Sequence, residues 1–167
     1  MTINNPTKNV YIALGSNLGN RLKNIKDAVL QIEKQIGTIV HKSNLYESTA
    51  VGYNSENTYY NCVILIASTL APEIILEKLL AIENDLGRHR TKNGYEDRPI
   101  DLDLILYENL SFEIKTDFLE LPHPRFLERD FVLIPLLEIA DSEIKKSINS
   151  KKNHNISNNL KLIAKFY

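Results

Sequence analysis

Strands and helices in the order β-α-β-β-α-β, followed by further helices, are what this sequence predicts, an α+β fold. Three observations support it. Apolar residues recur at helical spacing over 22–36 and again over 75–86. Four short apolar runs with strand character flank and separate these stretches. No internal repeat or linker divides the 167 residues. Two helices and four strands in that order match the ferredoxin-like plait, an antiparallel sheet with helices packed on it.

The first strand is Val10–Leu14, "VYIAL", and the turn "GSNLGN" follows it. Leu22, Ile25, Ala28, Val29, Ile32 and Ile36 then form one apolar stripe, with Gly37 suited to the helix end. Residues 38–48, "TIVHKSNLYES", read as one strand, 51–58 as a polar loop and 59–67, "YYNCVILIA", as a strong strand. Pro72 suits the first turn of a second helix, where Glu73 meets its positive end. Ile75, Leu76, Leu79, Leu80, Ile82 and Leu86 continue the stripe to Gly87. Residues 88–99 are polar and irregular, 100–107 form the fourth strand, and 122–140 read as a turn with one or two short helices. The stretch 145–159 is rich in Lys, Asn and Ser and is expected to be poorly ordered, with "LKLIAKFY" able to dock as a last element. One domain spanning 1–167 is expected, its core at about 9–140 and a partly polar tail at 141–167.

A chain of this size buries roughly 70% of its unfolded surface and needs no disulfide or structural metal to fold. The formal net charge of −1 offers no global attraction to nucleic acid or anionic membrane. Cys62 is the only cysteine, so no internal disulfide or multi-cysteine metal site can form, and its apolar surroundings mark a buried inert thiol. The start lacks a basic-then-apolar signal pattern, and no apolar run nears the ~20 residues that span a bilayer. A soluble cytoplasmic protein is the expectation.

Chemistry concentrates in "DRPIDLDLILYENL", 97–110. In a strand, residues i and i+2 share a face about 6.6 Å apart. Ile100, Leu102, Leu104 and Leu106 are thus expected on one face, with Asp101, Asp103, Ile105 and Tyr107 on the other. Two carboxylates this close repel unless a cation lies between them. Mg²⁺ suits them, because it takes one or two carboxylates plus water and substrate phosphate oxygens. Just upstream, "GRHRTKNGYEDR" supplies Arg88, His89, Arg90, Lys92 and Arg98, and arginine forks match phosphate oxygens. A solvated sheet face beside a solvated basic loop is the simpler reading of each feature alone. Together they form the parts of a metal–triphosphate site. "LGSNLGNR" has neither Walker nor dinucleotide-loop spacing. Tyr59 and Asn61 share a strand face, where one can stack on a flat heterocycle and the other read its polar edge. His123 lies between two prolines in "PHPR", which restrict its backbone.

"YIALGSNLGNR", "GRHR", "DRPIDLDLILY" and "LPHPRFLERDFVLIPLLEIA", in this order and spacing over about residues 10–140, resemble the 6-hydroxymethyl-7,8-dihydropterin pyrophosphokinases of folate biosynthesis. The resemblance implies a plait-type α+β domain that transfers the terminal pyrophosphoryl group of its co-substrate ATP to a hydroxymethyl pterin, leaving AMP. It implies that Asp101 and Asp103 hold two Mg²⁺ ions and that Arg88 and Arg98 contact the transferring phosphates. Tyr59 and Phe131 would sandwich the pterin. Asn61 would read its polar edge with backbone groups around Ser48 and Val51. His123, Arg90 and Arg129 would contact ATP, Leu76 and Leu104 would border adenine, and Glu83 would support the site. A monomer acting on small molecules, with no nucleic acid or membrane partner, is the matching expectation.

Three positions depart from the family pattern. Tyr95-Glu96-Asp97 stands where Trp-Gly-Pro is frequent, and two acids beside Arg98 are expected to lower the local positive potential and alter loop closure. Ser48 replaces a common threonine, and Pro124 a tyrosine found in some members. Two other readings stay open on the residues alone. A nucleotidyl-transfer or cyclase-like plait enzyme would release pyrophosphate and need no pterin. A binding module would hold ATP or a pterin without turnover.

Overall fold

A computed structural model describes residues 6–89, 95–151 and 160–166. Arg90, Lys92, His154 and the 152–159 part of the polar tail lie outside the described residues.

Strand β1 (Lys8–Ser16) is longer than "VYIAL", because the GS pair continues its ladder. Helix α1 (Arg21–Gln35) starts where the Asn20 side chain accepts a hydrogen bond from the Lys23 amide, and it buries Ile25, Ala28, Val29 and Ile32. Gly37 is required by close approach, since a Cβ there would lie 2.3 Å from the Ala67 carbonyl oxygen. The single strand expected over 38–48 is two, β2 (Thr38–Lys42) and β3 (Leu45–Ser48), both paired to β4 (Tyr59–Ser68). The break lies at buried Ser43, whose amide donates to the Val63 carbonyl and whose hydroxyl accepts from the Val63 amide, each at 2.9 Å. Ser43 thus answers both Val63 groups itself, and the strand bends there. Helix α2 (Pro72–Asp85) begins on Pro72 and buries Ile75, Leu79, Ile82 and Glu83, with Leu80 exposed.

Strand β5 (Asp101–Tyr107) completes the plait: sheet order β5-β1-β4-β3, with β2 beside β3 on the same edge of β4 and every pairing antiparallel. The face assignment of its second half needs correction. Leu106 faces Tyr11 while Leu104 faces Ile12, so Ile105 is an extra residue in a bulge. Beyond Leu104 the alternation inverts. Leu106 joins Ile105 on the face that carries Asp101 and Asp103, and Tyr107 crosses to the side of Leu102 and Leu104.

The remaining chain adds a small ladder, β6 (Ile114–Lys115) with β7 (Glu120–Leu121), and a 3-10 turn (Phe126–Glu128). Helices α3 (Asp130–Ile139) and α4 (Ser142–Lys151) follow. The expectation of poor order from residue 145 fails for 145–151. Asp141 caps α4 through the Ile144 amide at 2.8 Å, and Ile144 and Ile148, one turn apart, are buried. Strand β8 (Lys161–Ala164) docks on β3.

Two apolar layers result. α1 and α2 cover the face carrying Val10, Ile12, Leu14, Ile64, Ile66, Leu102 and Leu104. α3 and α4 cover part of the other face, over Tyr11, Leu65, Ile105 and Leu106. Cys62 is fully buried and its thiol is pushed up to about 12 by desolvation, which matches an inert role. Among the described residues no helix is long and apolar enough to cross a membrane.

Candidate active site

The site occupies the half of the second sheet face that α3 and α4 leave open. Tyr11, Ala13 and Gly15 of β1 stand opposite Leu65, Val63 and Asn61 of β4 on one side. On the other they stand opposite Leu106, Asp103 and Asp101 of β5. At the Tyr11 end this face is packed. At the Gly15 end it floors an open cleft. Ala13 and Gly15 keep the floor low. A Cβ on Gly15 would lie 3.3 Å from Asn61 Oδ1 and 3.5 Å from the Tyr59 ring, inside the space a ligand needs.

Why the sheet tolerates two adjacent aspartates has a partial answer in the arginines around them. Arg88 Nη1 donates to Asp101 Oδ1 and, at 2.6 Å, to Glu83 Oε1. Arg98 Nη1 lies 3.5 Å from Asp101 Oδ2, and Arg129 Nη1 3.7 Å from Asp103 Oδ2. Glu83, at the end of α2, is only 2% exposed and also accepts the Leu102 amide at 2.7 Å. It therefore ties Arg88 to the start of β5. The compensation is incomplete at Asp103. Desolvation in the recess, then the Asp101 charge, push its carboxyl well above the usual carboxylate range, against the pull of Arg129.

The donor set suits a hard divalent cation. It is two carboxylate groups on one strand face, open to a cleft. Among the described residues no group of three or more His, Cys, Asp and Glu could hold a metal ion. Further ligands would have to be water or substrate oxygens, the pattern Mg²⁺ favours.

The cleft's other wall carries aromatic rings and an amide. Ser48, Val51, Tyr59, Asn61 and Phe131 all line it. Asn61 Nδ2 donates to Ser48 Oγ at 2.9 Å, which fixes the amide and leaves Oδ1 over Gly15. Phe131 enters from the first turn of α3. Tyr60, one residue from Tyr59, points to the helix side, where the Arg21 guanidinium sits 3.7 Å above its ring.

Arg98 is held at several points. Its amide donates to Asn17 Oδ1 at 2.8 Å, its carbonyl accepts from the Asn17 amide at 3.2 Å, and its Nε donates to the Tyr59 hydroxyl at 3.1 Å. Asp97 turns its carboxylate toward Asn17 and the β3–β4 loop. Its carboxylate accepts from Ser55 Oγ (2.6 Å), Asn17 Nδ2 (2.7 Å), the Tyr53 hydroxyl (3.1 Å) and Asn57 Nδ2 (2.5 Å). Ser55 foremost, then Asn57, Asn17 and Tyr53, hold Asp97 below the usual carboxylate range.

Some residues named from sequence lie elsewhere. Leu104 is 4% exposed in the helix-side core, and Leu76 packs against the same layer. His123 is not among the cleft's lining residues. Its amide donates to the Ile105 carbonyl at 2.9 Å and its Nδ1 accepts from the Arg125 amide at 3.1 Å. Asn17, Tyr53, Ser55 and Asn57 were not legible as site residues. They sit in stretches that read only as turn and loop, and their partner, Asp97, is 40 or more residues away.

A family model described as 7,8-dihydro-6-hydroxymethylpterin-pyrophosphokinase (HPPK) matches residues 11–141. The chain is 39% identical over 133 residues to a 2-amino-4-hydroxy-6-hydroxymethyldihydropteridine pyrophosphokinase of Porphyromonas gingivalis, covering 78% of this chain and 90% of that protein. It is 38% identical over 142 residues to the protein of the same name from Bacillus subtilis, covering 84% and 83%. The Folic acid synthesis protein FOL1 of Dictyostelium discoideum is 43% identical over 145 residues, covering 86% of this chain. The chain spans only 21% of the length of that relative. The fold matches a crystal structure of Plasmodium falciparum HPPK-DHPS with pterin and p-hydroxybenzoate at TM-score 0.67 and 16% identity, covering 97% of this chain and 47% of that one.

Proposed function

Since the chain belongs to the 7,8-dihydro-6-hydroxymethylpterin-pyrophosphokinase family, we propose that it transfers the pyrophosphoryl group of ATP to the hydroxymethyl oxygen of 6-hydroxymethyl-7,8-dihydropterin. The observation that carries this is one cleft walled by Tyr59, Asn61 and Phe131 and closed by Asp101, Asp103, Arg98 and Arg129.

The pterin lies between Tyr59 and Phe131 and presents an N–H edge to Asn61 Oδ1, the fixed acceptor above Gly15. This directs the hydroxymethyl group toward the aspartates. Asp101 and Asp103 would hold two Mg²⁺ ions, which would neutralise phosphate charge and favour loss of the hydroxyl proton. Arg88, Arg98 and Arg129, which pair with these carboxylates, would supply guanidinium donors to phosphate oxygens. His123 and Arg90 would add ATP contacts, and Leu76 and Leu104 would border the adenine. The hydroxyl oxygen forms a bond to the β-phosphorus, the bond from that phosphorus to the α-phosphate oxygen breaks, AMP leaves and the hydroxyl proton passes to solvent. Positioning and charge stabilisation supply the rate, so no nucleophilic side chain is required.

Product analysis tests the reading. With Mg-ATP and the hydroxymethyl pterin, AMP and the pterin diphosphate are expected in equal amounts. ADP as the nucleotide product, or pyrophosphate release without a pterin requirement, would overturn it.

A further inference from the structure

We infer that Asp97 is a positioning residue that sets the geometry of Arg98 through a one-way chain of hydrogen bonds across two tyrosines. The inference rests on the role proposed above for Arg98.

The chemistry of the two ends fixes the direction of the chain. An arginine Nε can only donate, and an ionised carboxylate can only accept. Arg98 Nε donates to the Tyr59 hydroxyl at 3.1 Å, the Tyr59 and Tyr53 hydroxyls lie 2.7 Å apart, and Tyr53 is 3.1 Å from Asp97 Oδ1. With Tyr59 accepting from Arg98, its own proton points to Tyr53, and the Tyr53 proton points to Asp97. Each bond polarises the next. A hydroxyl reversed anywhere along the chain would set donor against donor at one link and acceptor against acceptor at another.

The same carboxylate fastens two backbone segments. Ser55 and Asn57, in the loop between β3 and β4, donate to it, and so does Asn17 at the end of β1. Asn17 grips the Arg98 backbone from both sides. Tyr53 and Tyr95 stack at 6.3 Å between ring centres, nearly parallel at 10°, and the Arg98 guanidinium carbon lies 5.9 Å from the Tyr95 ring. Asp97 therefore joins the segment carrying Arg98 to the loop that forms the pterin wall. The residue next to the arginine lends its charge to the neighbouring loop, not to the cleft. Losing it would leave the site's parts in place but loosen their mutual position, which for a reacting group costs ten- to a hundredfold in rate.

A double-mutant cycle on full-length protein tests this. Asp97→Ala should lower kcat at least tenfold and change affinity for a non-hydrolysable ATP analogue less than twofold. In an Arg98→Ala background the same change should lower kcat less than twofold further, because the group it positions is gone. Asp97→Asn, which keeps one acceptor oxygen, should fall between wild type and Asp97→Ala. Equal losses in both backgrounds, or unchanged kcat in Asp97→Ala, would overturn the inference. If wild type makes no pterin diphosphate, the functional reading fails and hydrogen exchange judges the latch separately. Faster exchange of the Arg98 and Asn57 amides in Asp97→Ala supports it, and unchanged exchange overturns it.

Discussion

The two ends of one sheet face differ in what covers them. Toward Tyr11, Leu65 and Leu106 the face is sealed by α3 and α4. Two rungs along the same strands, toward Gly15, Asn61 and Asp101, it is open and polar. The strands run through both ends, and the β1–β4 register is unbroken. What changes is that large apolar side chains give way to Ala13 and Gly15, and that leucine gives way to aspartate. One end converts burial into stability. The other carries like charges at close quarters and opens them to a ligand. The bulge at Ile105 lies between them, and by placing Ile105 and Leu106 both inward it thickens the sealed end without disturbing the aspartates.

Substitutions at the two ends should therefore separate activity from stability. At the open end, Asp101→Ala or Asp103→Ala should cut turnover on the order of a hundred- to a thousandfold with the far-UV circular dichroism unchanged. Asp103→Asn should also raise the unfolding free energy of the metal-free protein, since it removes a carboxyl held above its ordinary range by burial and the Asp101 charge. A loss of stability in that variant would show that Asp103 is comfortable as an anion. At the sealed end, Leu65→Ala should cost about 2–5 kcal/mol in denaturant unfolding while the KM for ATP stays within twofold.

The floor of the open end gives an intermediate effect. Gly15→Ala should weaken pterin binding about tenfold, roughly 1.4 kcal/mol, with a small change in thermal midpoint. Unchanged pterin affinity would mean the ring does not sit over Gly15. On stability the smallest effect is expected at His123, which does not line the pterin cleft. Burial, then Arg129, hold its pKa below the ordinary histidine value of 6.5. As pH falls below about 6.5 the unfolded chain takes up a proton that the folded chain resists, so stability declines on the acid side. His123→Gln should flatten that decline in urea titrations between about pH 6.5 and 5. An equally steep slope would place the effect elsewhere.

The contrast between the ends also explains what could be read from sequence. Period-two alternation placed Asp101, Asp103, Tyr59 and Asn61 on their correct faces, because local spacing decides which way a strand residue points. It failed at Ile105, where the bulge depends on the partner strand. It failed again at Ser43, whose hydroxyl stands in for a ladder partner twenty residues away. α4 was hidden in a polar run, although Asp141 and the Ile144–Ile148 pair announce it. Arg88 and Arg98 stood out through their charge and position. The Asp97 cradle did not, since its donors come from 17, 53, 55 and 57, and only the folded chain brings them together.

Anomalous diffraction from a crystal grown with Mn²⁺ and a non-hydrolysable ATP analogue tests the central claim most directly. Metal peaks about 2.1 Å from carboxylate oxygens of Asp101 and Asp103, with Arg88 and Arg98 swung toward phosphate, are the expected result. Nucleotide bound with no metal peak, and with both arginines still on the aspartates, would contradict it.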